Sequence, residues 1–199
     1  MIPLALLRHG PTDWNAAERI QGHTDVPLSE AGREAVAGWR LPKRVRGYTV
    51  YASPLARTCQ TARLLDLPNV RLEPRLKEMN WGAWEGRRLQ DLRLELGEDM
   101  RQRERQGFDF RPPGGESPRD LLERLTSWLR EVADAGEPVL AITHKGVIRT
   151  LSAAASGWDL VGKPPYKIEP ACLHFFRVAD DAGLELERMN VPLERRDAA

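Results

Sequence analysis

The sequence is poor in the features that mark metal-binding, disulfide-rich, membrane and nucleic-acid-binding chains. It contains only two cysteines, Cys59 and Cys172, in apolar contexts and without metal-ligand spacing, so we expect two buried, reduced thiols. The apolar run that starts the chain ends at Arg8, which makes it too short for a signal peptide or a membrane span. A net charge of +1 provides no broad field for binding nucleic acid or a membrane surface. These absences predict a cytoplasmic protein whose affinity for any anion is local.

The chain instead alternates short apolar runs with amphipathic stretches over 199 residues, of which 41% are hydrophobic and 30% are charged. This size and composition are typical of one globular domain, residues 1–199. The alternation predicts an α/β fold, a three-layer α/β/α sandwich with a mostly parallel sheet, one antiparallel edge and a small cap insertion. Strands are predicted at residues 2–7, 48–52, 70–72 and 138–143, with a late hairpin at 171–178 and 184–191.

Capping residues and apolar spacing locate the predicted helices. Ser29 is an N-cap for a helix whose apolar stripe reaches Trp39. Ser53 and Pro54 supply an N-cap and a first helical residue for the next helix. Ser117 starts the longest amphipathic stretch of the chain, so we expect the best-defined helix there.

The middle of the chain is predicted to form the cap, at about residues 79–115. A short helix over residues 89–96 is followed there by loops that include the charged run 98–106. A long loop-rich insertion of this kind is typical of a lid or a binding loop. At the other end of the chain, residues 194–199 are predicted to be frayed.

Chemically reactive side chains follow three of the predicted strands. Arg8 and His9 follow the first strand, Arg57 lies just after the second, and His144 follows the strand at residues 138–143. Because the carboxyl ends of parallel strands meet at one edge of a sheet, we expect these side chains to lie together. Two guanidinium groups, two imidazoles and helix N-termini at one edge form a pocket for a tetrahedral oxyanion such as a phosphoryl group.

The predicted pocket favours phosphoryl transfer without a metal or a cofactor. An arginine-rich site repels a dication, and no acidic cluster lies near these strand ends, so Arg8, Arg57 and His144 would supply the positive charge. A neutral imidazole can attack phosphorus and form a phosphohistidine. Glu78, in a tryptophan-rich turn, is the leading candidate for the acid that protonates the leaving alcohol. Each residue also has a structural alternative, and the coincidence of all the clusters favours catalysis.

Longer motifs surround these residues and follow one another along nearly the whole chain. They are Arg8-His9-Gly10-Pro11-Thr12-Asp13-Trp14-Asn15, residues 21–32, Ser53-Pro54-Leu55-Ala56-Arg57-Thr58-Cys59-Gln60-Thr61-Ala62, residues 76–86, and Thr143-His144-Lys145-Gly146-Val147-Ile148-Arg149. In this order and combination they resemble the histidine phosphatase superfamily, whose fold is shared with the cofactor-dependent phosphoglycerate mutases.

The resemblance implies a role for each matching residue. His9 is then the phosphorylated nucleophile, and Glu78 is the proton donor and afterwards the base for water. Arg8, Arg57 and His144 bind the phosphoryl group.

The resemblance also implies a set of substrate-binding residues. Asn15, Gln21 and Gly22 fall where family members contact the phosphate or the substrate. Lys145 departs from the family's pattern, since many relatives carry glycine there. Its amine either adds a phosphate or substrate contact or points into solvent, and we include it among the candidate binding residues.

Within the family, the choice is between a hydrolase and a mutase. The tryptophan-rich turn, the short cap and residues 114–117 resemble the phosphatase branch, which includes α-ribazole phosphatases and broad-specificity phosphomonoesterases. We therefore expect a metal-independent phosphomonoester hydrolase that acts through a phosphohistidine on a small phosphorylated metabolite. A phosphoglycerate mutase is the alternative, and a phospholigand-binding module that has lost turnover is a third. The sequence determines neither the physiological alcohol nor the oligomeric state, and a homodimer is one of the alternatives that stay open.

Overall fold

Strands and helices alternate along residues 1–195, the part of the chain that the computed structural model describes. The strands are β1 (Ile2–Arg8), β2 (Trp39–Arg40), β3 (Thr49–Ala52), β4 (Arg71–Leu72), β5 (Val139–Thr143), β6 (Cys172–Val178), β7 (Leu184–Pro192) and β8 (Glu194–Arg195). The α-helices are α1 (Asp13–Ala16), α2 (Glu30–Ala37), α3 (Ala56–Leu64), α4 (Leu89–Leu96), α5 (Glu98–Glu104), α6 (Pro118–Ala135) and α7 (Lys145–Ser156). Short 3₁₀ turns cover Lys43–Val45, Pro74–Leu76, Gly82–Trp84 and Gly107–Asp109.

Six strands form one sheet in the order β4-β3-β5-β1-β6-β7. The first four of these strands are parallel, whereas β6 runs antiparallel to β1 and β7 antiparallel to β6. This arrangement confirms the predicted α/β class with a mostly parallel sheet and one antiparallel edge. No helix within residues 1–195 is long and apolar enough to cross a bilayer.

Strand β1 lies in the middle of the sheet and is buried on both faces. Leu4 and Leu6 belong to one hydrophobic cluster, with α6, α7 and the segment 79–110, while Ala5 and Leu7 belong to the cluster formed with α2 and α3. Side chains alternate between the two faces of a strand, so a continuous apolar run is what a strand covered on both faces requires. The sheet therefore separates two apolar layers.

The register of the central strands aligns their carboxyl ends. Arg8 of β1 is paired with Thr143 of β5, and Ala52 of β3 is paired with Ile142. Beyond the strands, the His9 amide donates to the Thr143 carbonyl at 3.0 Å, and the Ser53 amide donates to the Ile142 carbonyl at 3.0 Å. Residues that are far apart in sequence thus leave the sheet side by side.

Helix α6 begins at the cap residue that the sequence predicts, Ser117. The Ser117 hydroxyl accepts from the Asp120 amide, and the Asp120 side chain accepts from the Ser117 amide, which forms a capping box. Pro118 occupies the first turn, and Gly136 ends the helix with a φ of 67°, a backbone angle that favours glycine.

The prediction for Trp39 was wrong, and so was part of the prediction for the end of the chain. Helix α2 ends at Ala37, and Trp39–Arg40 pairs antiparallel with Glu194–Arg195. Backbone pairing between residues 154 and 156 positions apart therefore follows the early end of the helix and orders two residues that were expected to fray. The remaining residues of that prediction, 196–199, lie outside the described part of the chain.

The predicted start of α3 was also wrong. The helix begins at Ala56 because Leu55 is extended, and Asp25 accepts a hydrogen bond from the Ala56 amide at 2.7 Å. A carboxylate supplied from a distant loop replaces the local cap expected at Ser53. The Ser53 hydroxyl instead contacts His144.

The charged run at residues 98–106, expected as loop, contains helix α5. Met100 is fully buried, and an ion pair between Arg101 and Glu98 supports the helix at i,i+3 spacing. Because only one side chain of this helix, Met100, is buried among charged neighbours, the sequence shows little apolar periodicity here. The helix therefore depends on the tertiary packing of Met100.

The two cysteines are free thiols, as expected, but they differ in burial. Cys172 is buried, whereas Cys59 is only half-buried, contrary to the prediction. Desolvation raises the pKa of both thiols, which favours their neutral form.

Candidate active site

His9 lies at the carboxyl end of β1 with only 6% of its surface exposed. Its Nδ1 is 2.7 Å from the Gly10 carbonyl oxygen, and because a carbonyl only accepts, Nδ1 carries the proton. Burial, followed by the charges of Arg8 and Arg57, holds the pKa of His9 well below its usual value. The ring is therefore neutral at pH 7 and keeps an unprotonated Nε2.

His144 faces His9, with the two ring centroids 5.2 Å apart. The Nε of Arg57 donates to His144 Nδ1 at 3.2 Å, so the proton of the neutral ring is on Nε2, which donates to the Ser53 hydroxyl at 2.9 Å. Burial first, then the charge of Arg57, lowers the pKa of His144 well below its usual value. The two histidines thus have opposite tautomers, each fixed by one hydrogen bond.

Arg57 is fully buried at the start of α3. Besides His144, its guanidinium donates to the Thr24 carbonyl at 3.0 Å and to the Gly22 carbonyl at 2.8 Å. Three of its five N–H groups are thereby used, and the others are available to an anion. Desolvation lowers the pKa of Arg57, and the carboxylate of Glu78 opposes that effect most strongly.

Arg8 carries a buried donor that lacks a partner. Its Nε makes no hydrogen bond to any residue in the described range 1–195. Desolvation lowers the pKa of Arg8, and the charge of Glu78 opposes this effect. A buried unpaired N–H of a cation is costly, so this guanidinium is a ready donor to an anionic ligand.

Hydrogen bonds hold both the side chain and the backbone carbonyl of Glu78. Its carboxylate accepts from the Met79 amide at 2.8 Å and from the Gly146 amide, in the first turn of α7, at 3.0 Å. Its carbonyl oxygen accepts from His23 Nε2 and from Arg124, each at 2.9 Å. Separate hydrogen bonds therefore fix the backbone and the carboxylate of Glu78. The carboxylate is close enough to Arg8 and Arg57 for its charge to raise the pKa of both.

Arg124, on α6, clamps the segment that carries Glu78. It donates to the Lys77 carbonyl at 2.8 Å and also to the Arg75 carbonyl. Its Nε is paired with Glu116 at 3.0 Å, and Glu116 accepts from the Asn80 amide at 2.9 Å. Sequence reasoning missed this pair. The only sequence signal was Glu116 in the 114–117 stretch, which gave no indication of its partner.

Glu85 organises the loop opposite α3 and was also missed. It accepts from the His23 amide and the Thr24 amide, each at 2.8 Å, and from the Trp81 amide at 3.1 Å. It therefore shapes the loop whose carbonyls hold Arg57. A β-carbon added to Gly22 would overlap Glu85, and Gly22 has a φ of +53°, so glycine is required there. The sequence signal was the position of Glu85 inside the tryptophan-rich turn.

The other candidate binding residues have different surroundings. Asn15 accepts from the Thr12 amide at 3.0 Å in the capping box of α1, and Gln21 has a buried Oε1 with no partner in the described residues. Lys145 is exposed at the start of α7, and desolvation together with the charge of Arg8 lowers its pKa. The structure thus brings His9, Arg8, Arg57, Glu78 and His144 together, with Gln21, Gly22 and Lys145 beside them.

The two remaining histidines have structural surroundings. His23 contacts the Glu78 backbone, and His174 is fully buried in β6. Over residues 1–195, no three His, Cys, Asp or Glu side chains are grouped so that they could hold a metal ion.

The fold and the site define an α/β protein whose sheet edge presents two imidazoles, the buried guanidinium of Arg57 and the partly buried guanidinium of Arg8. The chain belongs to the histidine phosphatase superfamily, branch 1, whose sequence profile matches residues 4–192.

Relatives of both functional kinds are similar to this chain. A 2,3-bisphosphoglycerate-dependent phosphoglycerate mutase of Methylobacterium sp. is 33% identical over 196 residues, which cover 92% of this chain and 94% of that protein. A metal-independent phosphoserine phosphatase of Arabidopsis thaliana is 37% identical over 174 residues, which cover 80% of this chain and 71% of that protein. A solved mycobacterial glucosyl-3-phosphoglycerate phosphatase, in complex with inorganic phosphate, has a TM-score of 0.77 and 27% identity over 96% of this chain and 98% of its own.

Proposed function

We propose that the protein is a metal-independent phosphomonoester hydrolase that acts through a phosphohistidine on a small phosphorylated metabolite. The observation that carries this proposal is the state of His9: a neutral ring, protonated on Nδ1 by its bond to Gly10, with Nε2 free beside two cations. A nucleophile needs that lone pair, and an anionic phosphoryl group needs those cations.

The first step transfers the phosphoryl group to the enzyme. Nε2 of His9 attacks phosphorus in line and forms the N–P bond, while the P–O bond to the alcohol breaks. The departing oxygen takes the proton of the Glu78 carboxyl group. Arg8 and Arg57 stabilise the charge that spreads over the phosphoryl oxygens in the transition state.

The second step releases orthophosphate. Water attacks phosphorus and gives its proton to the Glu78 carboxylate, and the N–P bond returns its electron pair to Nε2 of His9. Enzyme and Glu78 are then in their starting states. The fixed position of Glu78 between the Met79 and Gly146 amides lets one carboxyl serve both steps.

Positive charge from side chains supports independence from metal. Arg57 is buried and Arg8 is partly buried, which strengthens their electrostatic effect in a water-poor site. The Arabidopsis relative is named a metal-independent phosphatase, and that name agrees with the proposal. We expect no cofactor, and the proposed substrate is a small molecule, not a nucleic acid or a membrane.

The test is hydrolysis of 4-nitrophenyl phosphate after chelator treatment, combined with capture of the phosphoenzyme in an alkaline denaturing quench, because phosphohistidine is acid-labile. We expect full activity without metal and loss of both turnover and phosphoenzyme in His9→Ala. In Glu78→Gln, we expect the phosphoenzyme to form and to be hydrolysed slowly. Normal turnover by His9→Ala would overturn the proposal, and hydrolysis by the wild type excludes a binding module without activity.

The Methylobacterium relative favours a second candidate, a phosphoglycerate mutase. A mutase must protect its phosphohistidine from water and return the phosphoryl group to a bound intermediate. Incubation with 3-phosphoglycerate, with and without 2,3-bisphosphoglycerate, separates the two functions. Phosphate release without 2-phosphoglycerate rejects the mutase, whereas isomerisation faster than release rejects the hydrolase.

A further inference from the structure

A cavity of about 240 Å³ lies between the 79–110 segment, α6 and α7. Two of its lining residues, Met79 and Gly146, also contact the proposed proton donor. The amides of both donate hydrogen bonds to the Glu78 carboxylate. The group that Glu78 protonates is the oxygen of the leaving alcohol, so the alcohol lies next to Glu78. The cavity, which Met79 and Gly146 line, is the candidate space for the rest of that alcohol.

The walls of the cavity are largely apolar. They are formed by Met79, Trp81, Leu89, Phe110 and Leu160. Trp81 and Phe110 meet edge to face, with ring centroids 5.7 Å apart, which gives the cavity a rigid aromatic side. An apolar cavity of about 150 Å³ holds one benzene molecule, so this volume fits an alcohol with one ring or an aliphatic body of similar size.

The charged side chains that line the cavity have a net positive charge. Arg93 and Glu104 are paired with each other at 2.6 Å. Arg149, on α7, has neither an ion pair nor a hydrogen bond to any residue among 1–195, and its guanidinium lies 5.1 Å from the centroid of Trp158. Arg149 is exposed, and the aromatic contact orients its guanidinium without using its N–H groups.

The placement of Arg149 is unfavourable in the unliganded protein. It is one helical turn from Lys145, and like charges at i,i+4 spacing repel. Lys145 also opposes the helix dipole at the start of α7. Desolvation lowers the pKa of Arg149, the charge of Glu104 opposes this effect, and the charge of Arg93 adds to it. An anionic group bound at this side chain would offset the repulsion among Arg149, Lys145 and Arg93.

We propose that the cavity binds the alcohol part of the substrate, and that Arg149 selects an alcohol with a compact apolar body that carries an anionic group such as a carboxylate. This inference rests on the proposed hydrolase function, since it assigns the second half of that substrate. It makes Arg149 a specificity-determining residue outside the phosphoryl site.

The test compares carboxyphenyl phosphate with carbamoylphenyl phosphate, as the meta and para isomers. The carboxylate and the carboxamide are matched in size and differ in charge. The enzymes are the wild type, Arg149→Gln and the control Arg130→Gln, which removes one positive charge from an exposed position of α6 outside the cavity lining. For each enzyme, the measured quantity is the ratio of kcat/KM for the two substrates, in which general damage to the fold cancels. Comparison of this ratio between enzymes also cancels the difference in leaving group.

We expect Arg149→Gln to lower the ratio at least tenfold for one isomer, about 1.4 kcal/mol of discrimination, and Arg130→Gln to leave it within about twofold. An equal loss on both substrates, or no loss, would overturn the proposal. Binding of 4-hydroxybenzoate and 4-hydroxybenzamide, followed by tryptophan fluorescence, gives the same comparison without turnover. Absence of hydrolysis would reject the proposed function, and in that case the binding ratio would still decide whether Arg149 selects the anionic group.

Discussion

Gly146→Ala is a small change that should displace the proposed proton donor and leave the fold intact. A β-carbon on Gly146 would lie 3.0 Å from the carboxyl carbon of Glu78 and would overlap Oε1. Gly146 is in the first turn of α7 with ordinary helical backbone, and alanine is favoured over glycine in a helix by about 1 kcal/mol. The carboxylate is the end of a flexible side chain, so it moves and the helix stays.

The size of the effect follows from that overlap. Two carbon atoms pack at about 3.5 to 4.0 Å, so the carboxyl carbon must retreat by about 0.5 to 1 Å. A misplacement of about 1 Å can cost about 100-fold in rate, and general acid catalysis contributes about 100- to 10,000-fold in total. We therefore expect kcat/KM for an alkyl phosphomonoester to fall about 100-fold.

The assay uses the dependence of rate on the leaving group. An alkoxide needs the proton of Glu78, whereas 4-nitrophenolate leaves without it, so kcat/KM for 4-nitrophenyl phosphate, which reports only the first step, should change less than about fivefold. Gly38→Ala is the matched control, because its nearest neighbour would lie at an ordinary 3.4 Å. Thermal unfolding should show both variants as stable as the wild type or more so.

The same variant in a Glu78→Gln background tests the cause. If Gly146→Ala acts through the carboxylate, it should add less than about threefold to the loss caused by Glu78→Gln, since groups that act as a unit are not additive. Alkyl phosphatase activity within about threefold of wild type in folded Gly146→Ala would refute the reasoning.

Three further perturbations test the surroundings of the site. Arg124→Met removes one of the two donors to the Glu78 carbonyl and leaves His23 as the other, and we expect about a tenfold larger loss on alkyl than on aryl phosphates; an equal loss would mean that Arg124 only stabilises the fold. Burial lowers the pKa of His174 to about 4, below the unfolded value of about 6.5, so the unfolded chain binds the proton first and stability is lost as the pH falls through this window. Urea unfolding should show an acid-dependent loss that is smaller in His174→Asn by about 2 kcal/mol between pH 7 and pH 5, and identical slopes would contradict the burial effect. Ser53→Ala leaves the buried N–H of His144 without its acceptor and should cost about 1 to 3 kcal/mol in urea unfolding; a cost below about 0.5 kcal/mol would show that this bond contributes little.

Local sequence determined the framework of the sheet and the place of the site. The apolar run before Arg8 and the one before His144 are long enough, and free enough of polar residues, to require strands buried on both faces. Parallel strands then bring their carboxyl ends to one edge, which is why Arg8, His9 and His144 could be placed together from sequence. The cap residues of α6 are equally local, since Ser117 and Asp120 are three residues apart.

Only the tertiary structure decided which polar groups hold the site together. Asp25 caps α3 from a distant loop, the Ser53 hydroxyl accepts from His144 and is not the N-cap of α3, and Arg124 donates to Glu78 from α6. These hydrogen bonds join residues 31 to 91 positions apart, and no periodicity or local propensity records such a pairing. The sequence by itself determined the strands, and therefore the chemistry at their ends, because burial of apolar side chains is a local pattern. The folded chain decided the tautomers, the clamp on Glu78 and the shape of the neighbouring cavity, because each depends on distances between segments that meet only after folding.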